Sequence, residues 1–590
     1  MTKNIKIIAG AIIGVAVTLA ITSAWNDSII VDEVPHIGAG YSYLAKHDMR
    51  LNPEHPPLAK DVAAIPLLFL NLKQDVFQTK FWQTDINGQW EFGRNLIFGS
   101  GNDADLIRHA AKVPMILFFV LACILVFKWA SKLYGEKGAL IALFLFAFSP
   151  TVLAHARFVT TDVPALFGTI LASYFFVNYL KKPGQKNFWI ASIAFGIALI
   201  TKFSTFLLVP YLGLLAVVYG LIKGDCKSSS MIWSGIKMGL ISVLIFITGF
   251  IIIVWPVYYF HTYNYPPERQ YSDTQYLLGS FGKRYLVDPV IWASDKPILR
   301  AAAQYGLGFF MVVQRSTGGN TTYFLGEVSR TGWHKYFPIV YFLKEPLPWW
   351  ILTAIAIILS FWGLQRSQFK SFGNIISNFI KNNFDQFAMI LWLIIYWGTS
   401  INSNLNIGVR HLLPTYPFAI ILISGPLVRA FKNSKIFAYI ITFMLSWYLY
   451  ENVMVYPYYL TYFNQIAGGP SGGYRYVVDS NVDWGQDLLR LNQWVDQNHI
   501  AKMEIDYFGW ADPVYYLKDH YIWLSSKKYK DAQDFIKNNQ SNGWLAVSVT
   551  FLQGSQGTPD NPNEINYDKW LKSYTPVTVI GNSIFIYHIQ

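Results

Sequence analysis

Charged side chains and cysteines are both scarce in this 590-residue chain. Only 14% of its residues are charged, whereas soluble domains carry roughly 25%. Together with a hydrophobic content of 53%, this excludes a large soluble enzyme and indicates a polytopic membrane protein. The only two cysteines, Cys123 in an apolar run and Cys226 in a short basic loop, cannot form a disulfide framework.

Acidic residues are also few, since 35 Asp and Glu stand against 47 Lys and Arg. The excess of positive charge does not point to a nucleic-acid partner, because the basic residues are spread over short loops and form no single basic domain. Aromatic residues, by contrast, reach 17%, which suits side chains that anchor a protein at both membrane interfaces.

Long apolar runs predict about eleven membrane-spanning helices, each near the roughly 20 residues needed to cross a bilayer. They cover approximately residues 6–24, 111–130, 138–154, 163–180, 187–201, 204–222, 232–254, 348–364, 386–400, 413–430 and 435–454. Every second loop is basic, which predicts a cytoplasmic N-terminus and an extracytoplasmic C-terminus. We interpret the first run as an uncleaved span, because no convincing cleavage site follows it.

Three long segments then fall on the extracytoplasmic side. They are a first loop segment (about 25–110), a second loop segment (about 255–347) and a tail (456–590). The tail is polar and has short alternating stretches such as WLAVSVTFL, so it predicts a small soluble α/β domain. We therefore divide the chain into a transmembrane catalytic domain, 1–455, and a soluble domain, 456–590.

Two adjacent carboxylates, Asp32 and Glu33, follow directly after the first apolar run. Acidic residues at the mouth of a span often mark a reaction or transport site, and a carboxylate there can act as a general base. The small residues Gly38, Ala39 and Gly40 would allow a ligand to approach closely. The alternative is that the pair only helps to set topology.

A second candidate is the string His55-Pro-Pro-Leu-Ala-Lys60, at the start of a predicted interfacial helix. Free backbone amides after the prolines, together with His55 and Lys60, would suit a lipid phosphate at the bilayer surface. The alternative is a proline-capped amphipathic helix whose lysine extends to the interface.

Further candidates lie in three later turns. Arg157 and Asp162 occupy one short turn, where they would either pair with each other or join the site, Asp162 as a second carboxylate and Arg157 on phosphate. Lys202 in the next turn on that side is another candidate for phosphate binding, and the alternative is a lysine whose side chain extends to the interface. Arg410 and His411 follow in the segment NIGVRHLLP, where a guanidinium would form a bidentate contact with phosphate.

In the tail, the segment DSNVDWGQD (479–487) is dense in polar groups. Its Trp484 would stack on a sugar face, although the simpler interpretation of this segment is the cap of the following helix. Its spacing departs from a calcium-binding loop, because Arg490 stands where the loop needs a glutamate, so we expect no metal there.

The string DEVPHIGAGYSYL followed by HPPLAK resembles the first external loop of the protein O-mannosyltransferases, glycosyltransferase family 39. ARFVTTD is similar to the Arg-x4-Asp turn of that family. Glu54, directly before HPP, resembles part of the Glu-Lys-Pro string of the related aminoarabinose transferases, with His55 in place of the lysine. The tail resembles bacterial and archaeal members, which predicts location in a prokaryotic plasma membrane.

The resemblance implies a GT-C membrane fold, a polyprenyl-phosphate sugar donor, an extracytoplasmic site and transfer with inversion. It implies that Asp32 is the catalytic base, with Glu33 and Asp162 beside it. Phosphate contacts are expected from His55, Lys60, Arg157, Lys202, Arg410 and His411. Glu54 and Trp484 are expected to contact acceptor or sugar.

We therefore expect a glycosyltransferase that passes a monosaccharide, mannose-like or another, to a hydroxyl of a protein, glycan or lipid acceptor. No cofactor or metal is required, because cationic side chains can stabilise the leaving phosphate. One alternative is a flippase for lipid-linked sugars, although the charges lie at span ends rather than at the midplane. Another is a non-catalytic scaffold, against which the retained acids and HPPLAK argue.

Overall fold

The computed structural model describes residues 2–223, 228–365, 372–555 and 567–590. Cys226 lies outside these residues, so the structure describes only Cys123, which is buried with a free thiol. Among the described residues, seven helices are long and apolar enough to cross a membrane. They are Lys3–Ser23, Ala104–Ala147, Asp162–Lys181, Phe203–Lys223, Ser230–His261, Phe384–Ile401 and Val409–Asn433.

An eighth candidate span is the pair Tyr336–Lys344 and Leu347–Phe361, whose axes meet at 109°. Two further predicted spans coincide with the helices Gln185–Leu199 and Lys435–Val455. The predicted polytopic helical membrane fold is thus confirmed, whereas the count of eleven spans stays a prediction.

Gly135 separates two of the predicted spans. The helix Ile116–Ala147 is broken at this residue, whose φ of 75° lies in the left-handed region that glycine adopts without strain. The second arm ends before Ser149, whose side chain accepts a hydrogen bond from the amide of Val152 and so caps the next helix, Pro150–Ala156. That short helix leads directly into the turn that carries Arg157.

The loop segments are also largely helical. The first loop segment contains the helices Glu33–Lys46, Leu58–Ala64, Lys80–Gln83, Gln89–Arg94 and Ala104–Lys112. The second loop segment contains Trp255–His261, Pro267–Leu277, Arg284–Ala293, Arg300–Gly318 and Tyr336–Lys344, with a small antiparallel hairpin of β1 (Thr322–Phe324) and β2 (Glu327–Ser329). A further helix, Phe372–Asn382, precedes the span that begins at Phe384.

The tail forms the predicted α/β unit around a five-stranded sheet. Its strands are β3 (Met503–Asp506), β4 (Tyr521–Trp523), β5 (Trp544–Ser548), β6 (Thr578–Ile580) and β7 (Ile584–His588). Their order is β4-β3-β5-β7-β6, with β3 parallel to both neighbours and β7 antiparallel to both of its own. The helices are Leu488–Gln497, Pro513–Leu517, Ala532–Asn538, Val549–Gly554 and Tyr567–Trp570.

The tail is anchored to the first loop segment by buried ion pairs. Asp27 contacts Arg157 at 3.1 Å and Arg490 at 2.7 Å, and Arg490 also contacts Asp487 at 2.5 Å. Burial by itself would raise the pKa of Asp27, but the two guanidinium groups more than offset it and hold that pKa below its usual value. The first loop segment and the tail therefore lie on the same side of the protein, while the domain boundary at residue 455 stays a prediction.

Candidate active site

A cavity of about 900 Å³ lies where the two loop segments and the tail meet the helical domain. Its charged and ionisable lining comes from every one of these parts of the chain. The lining side chains of this kind are Asp32, His36, Glu54, His55, Lys202, Arg315, Arg410, His411 and Asp479. Residues that are hundreds of positions apart in the sequence therefore share one space.

Asp32 is held at the start of the helix Glu33–Lys46, and its side chain is 25% exposed towards the cavity. Gly38 and Gly40 do not serve a ligand, contrary to our expectation. A Cβ at Gly40 would lie 2.3 Å from the carbonyl oxygen of Lys60, and one at Gly38 would lie 2.7 Å from the Cα of Gly93. The glycines instead let this helix pack closely on its neighbours, which fixes the position of Asp32.

Arg410 connects two of the predicted carboxylates. Its Nη1 donates to Asp32 Oδ2 at 2.7 Å and lies 3.5 Å from Asp162 Oδ2. The indole ring of Trp484 covers the guanidinium, 4.1 Å from ring centre to Cζ. Asp162 is itself buried and accepts a 2.6 Å hydrogen bond from Lys202 Nζ. The order Asp32, Arg410, Asp162, Lys202 is thus one continuous chain of alternating charge.

Two nitrogen atoms in this region have no hydrogen-bond partner among the described residues. They are Nε of Arg410 and Nε2 of His411, and both atoms are buried. Unsatisfied buried nitrogen atoms are uncommon in proteins and call for an explanation, such as an absent ligand or ion. Their position beside a cavity with cationic side chains favours an anionic ligand.

Arg315 is a cavity residue that the sequence interpretation missed. It lies near the end of the helix Arg300–Gly318 in the second loop segment, and its side chain is exposed. No ion pair of this guanidinium is found within the described part of the chain. The sequence offered no signal for it, because a single arginine in an amphipathic helix normally lies on a solvated face.

Glu54 and His55 also face the cavity. Glu54 Oε1 accepts a 2.6 Å hydrogen bond from Gln89 Nε2, which orients the carboxylate. His55 packs edge-on against His36, with ring centres 4.9 Å apart. Burial lowers the pKa of both imidazoles, and the neighbouring cations act in the same direction on His55. The lowered pKa favours the neutral form of His55, which offers the cavity a hydrogen-bonding ring.

Besides the buried Asp162, three predicted site residues lie outside the cavity lining, and the first is Glu33. Its fully buried carboxylate accepts hydrogen bonds from the amides of Ile30 and Val159, each 2.9 Å long, and pairs with Lys112 Nζ at 3.2 Å. Burial raises the pKa of this carboxyl more than Lys112 and the amides lower it. Glu33 joins the turn that contains Val159 to the loop that carries Asp32, which is a positioning role.

Arg157 and Lys60 are the other two. Arg157 pairs with Asp27 and donates to the carbonyl oxygen of Pro457 at 3.2 Å, so it contacts neither Asp162 nor the cavity lining. Lys60 is fully buried, and its Nζ lies 2.7–2.9 Å from four oxygens, those of Tyr43 Oη, Asn52 O, Asn52 Oδ1 and His55 O. These contacts hold the HPP turn in shape and leave Lys60 little capacity for phosphate.

We expect Lys60→Ala to reduce stability rather than donor binding. The substitution removes the group that satisfies these buried oxygens, and each charge-assisted hydrogen bond contributes roughly 1.5–3 kcal/mol. Thermal unfolding of the purified protein should shift to lower temperature, while the Michaelis constant for the donor stays within about twofold. An increased donor Michaelis constant at unchanged thermal stability would return Lys60 to the phosphate site.

No group of three or more His, Cys, Asp or Glu side chains within the described ranges could hold a metal ion. Metal independence of the reaction stays a prediction. Asp479, which heads the polar segment of the tail, lines the cavity instead of forming a cation site. Burial raises its pKa to about 6, and this outweighs the opposing effect of Arg410.

The fold has similarity to several solved structures. The chain is similar to the Archaeoglobus fulgidus oligosaccharyltransferase in the apo form, with TM-score 0.46 and 10% identity over 94% of this chain and 72% of the other. It is similar to ArnT from Cupriavidus metallidurans bound to undecaprenyl phosphate, with TM-score 0.43 and 13% identity over 98% and 97%. It is also similar to the S. cerevisiae Pmt1-Pmt2 protein O-mannosyltransferase complex bound to the sugar donor, with TM-score 0.33 and 22% identity. That match covers 45% of this chain and 34% of the other.

No curated protein matches the chain by sequence. A family model described as dolichyl-phosphate-mannose-protein mannosyltransferase does match, over residues 102–252. The matched segment is roughly a quarter of the chain and includes Asp162 and Lys202 of the cavity region. The resemblance to the protein O-mannosyltransferase group is thereby confirmed over residues 102–252.

Proposed function

We propose that this chain is a membrane glycosyltransferase that moves a monosaccharide from a polyprenyl phosphate to an acceptor hydroxyl on the side of the C-terminal domain. The observation that carries the proposal is the cavity itself. One partly exposed carboxylate, Asp32, lies next to Arg410, with the cations Lys202 and Arg315 in the same lining. The family match over residues 102–252 supports the same class of reaction.

The donor fits one wall of the cavity. Phe203, Phe206, Phe309 and Val312 line it with apolar surface, and the rings of Phe206 and Phe309 pack at 4.6 Å. Lys202 directly precedes the first of these residues, and Arg315 follows the last by less than one helical turn. A prenyl chain against the phenylalanines would therefore bring its phosphate between two cations.

The reaction then follows from the positions of the charges. The acceptor oxygen attacks the anomeric carbon on the face opposite the phosphate, and its proton passes to the Asp32 carboxylate. The bond between the anomeric carbon and the phosphate oxygen breaks, and that oxygen keeps the electron pair. Arg410, Lys202 and Arg315 stabilise the negative charge that develops on the phosphate, and the configuration of the sugar inverts.

Asp162 has a supporting part in this scheme. It is buried and contacts both Lys202 and Arg410, so both cations remain oriented when Arg410 turns from Asp32 to the phosphate. An ion pair that has two alternative carboxylates can release one of them without leaving a buried charge uncompensated. Asp32 is thereby freed to accept the proton at the moment when donor is bound.

The test uses the full chain in proteoliposomes with a radiolabelled polyprenyl-phosphate sugar and a mixed pool of glycan, lipid and peptide acceptors. Formation of a labelled glycosidic bond of inverted configuration, with release of polyprenyl phosphate, is the expected result. Movement of intact lipid-linked sugar across the bilayer, without any new bond, would contradict the proposal and favour a flippase. Mass spectrometry of lipids that co-purify with the protein would identify the prenyl chain and sugar, and protein-free liposomes serve as the control.

A further inference from the structure

A second aromatic part of the cavity lining is shared by the C-terminal domain and the first loop segment. Trp510 and Phe508 follow strand β3, and they line the cavity together with Trp90 from the helix Gln89–Arg94. The rings of Trp90 and Trp510 lie 4.9 Å apart at an angle of 30°. This wall therefore joins two parts of the chain that the proposed reaction does not use.

Contacts with neighbouring elements hold this aromatic wall in place. Arg94 pairs with Asp512 at 3.1 Å, which joins the helix of Trp90 to the loop of Trp510. The amide of Phe508 donates to Ser548 Oγ at 3.0 Å, and its ring packs edge-on against Phe551. Phe508 is thus held against the end of strand β5 and the following helix, and the loop of Trp510 is joined to the helix of Trp90.

Two carboxylate side chains, Glu54 and Asp479, line the same cavity as these rings. Glu54 is oriented by Gln89, the residue next to Trp90 in the sequence. Asp479 belongs to the C-terminal domain and lines the cavity. Its φ of 56° is an uncommon backbone conformation for a residue other than glycine. Its amide donates to Thr550 Oγ1 at 3.1 Å, which fixes that conformation. Strained residues that are held in this way often occur at ligand-binding sites.

We propose that Trp90, Phe508 and Trp510, with Glu54 and Asp479 beside them, form the acceptor subsite, and that the acceptor is a neutral carbohydrate. This inference depends on the proposed function, because it names the acceptor for the same cavity. The C–H face of a pyranose is weakly positive and packs on the negative face of an indole ring. Its hydroxyl groups donate to carboxylates, and Glu54 and Asp479 line the same cavity as the aromatic wall.

Charge further restricts the class of acceptor. Glu54 and Asp479 add two carboxylates to the cavity lining, so we expect a neutral sugar to bind beside them better than a phosphorylated or sulfated one. Trp484, which the sequence interpretation offered as a sugar contact, is not part of the aromatic wall, since the guanidinium of Arg410 covers its ring at 4.1 Å. Its contribution is to position Arg410.

The test compares Trp510→Ala and Trp90→Ala with Trp523→Ala, a control indole that lies in strand β4 and is 61% exposed. The acceptor Michaelis constant for neutral disaccharides (mannobiose, cellobiose and chitobiose) should rise at least about fivefold in the first two variants and stay unchanged in the control. Slow hydrolysis of the donor by water should be unaffected in all three. Trp510→Phe should restore most of the acceptor affinity, which separates a stacking role from a folding role.

A second readout does not need the donor. Saturation-transfer NMR on the detergent-solubilised full chain should detect the neutral disaccharides and lose that signal in Trp510→Ala but not in Trp523→Ala. Equal signals in both variants, or tighter binding of a sulfated disaccharide or a Ser/Thr peptide, would overturn the inference. If neutral sugars bind as expected but the donor is never cleaved, the proposed function fails while the carbohydrate site stands.

Discussion

The variant Asp32→Asn is expected to lose about 10² to 10⁴-fold in the rate of sugar transfer, the range that general base catalysis commonly contributes. An amide has nearly the shape of the carboxylate but cannot take up the acceptor proton. Asp32 is partly exposed, so the fold does not depend on its charge. Single-turnover transfer with saturating donor and acceptor measures the chemical step directly.

The matched control is Asp288→Asn, an exposed carboxylate whose ion-pair partner Arg284 lies one helical turn away on the surface. It should transfer at the rate of the unmodified protein. Donor binding by Asp32→Asn should be unchanged or slightly tighter, because Arg410 no longer has to leave a carboxylate. Transfer by Asp32→Asn at the full rate would remove this residue from its role as base and require another one in the cavity.

The second large effect is expected for Arg410→Gln. Arg410 is the group that contacts both Asp32 and Asp162, and it is the cation nearest to the proposed base. Removing one preorganised group that stabilises developing charge typically costs about 10² to 10³-fold in turnover. We expect a loss of this size in the transfer rate, accompanied by weaker donor binding.

Arg410→Lys separates charge from geometry. A lysine keeps the positive charge but lacks the planar guanidinium that reaches two carboxylates and stacks on Trp484, so activity should recover only in part. Arg284→Gln, which alters a half-exposed surface arginine, is the control and should leave transfer unchanged. A donor Michaelis constant and turnover for Arg410→Gln equal to those of this control would show that the phosphate lies elsewhere.

Much of the architecture could be predicted from apolar runs and loop charge. Their length reports directly on helices that cross a bilayer, and the alternation in WLAVSVTFL and VTVIGNSIFIYHI correctly indicated β5, β6 and β7. The break at Gly135 agrees with the two separate apolar runs on either side of it, whereas the 109° bend after Lys344 was not predicted from the sequence.

One signal for the candidate site was a charge in an unusually apolar context. Asp32, Lys202 and Arg410 have that property, and all three line the cavity. Lys60 and Arg157 are also charges in an apolar context, yet each binds buried oxygen atoms outside the cavity lining. The sequence does not show which hydrogen-bond acceptors will lie near a given cation. Arg315, Trp90 and Trp510 gave no signal, since their role depends on three distant segments coming together.

The segment of the tail that begins at Asp479 has a consequence for how the protein can be divided. Ser480 Oγ donates to the carbonyl oxygen of Ile407, Asn481 Oδ1 accepts from the amide of Val409, and the ring of Trp484 covers Arg410. A chain cut after residue 455 would keep its membrane helices but lose the indole ring that covers Arg410. It would also lose Arg490, so that Arg157 would be the remaining guanidinium paired with Asp27. We therefore expect a membrane half expressed alone to be inactive in the proposed transfer.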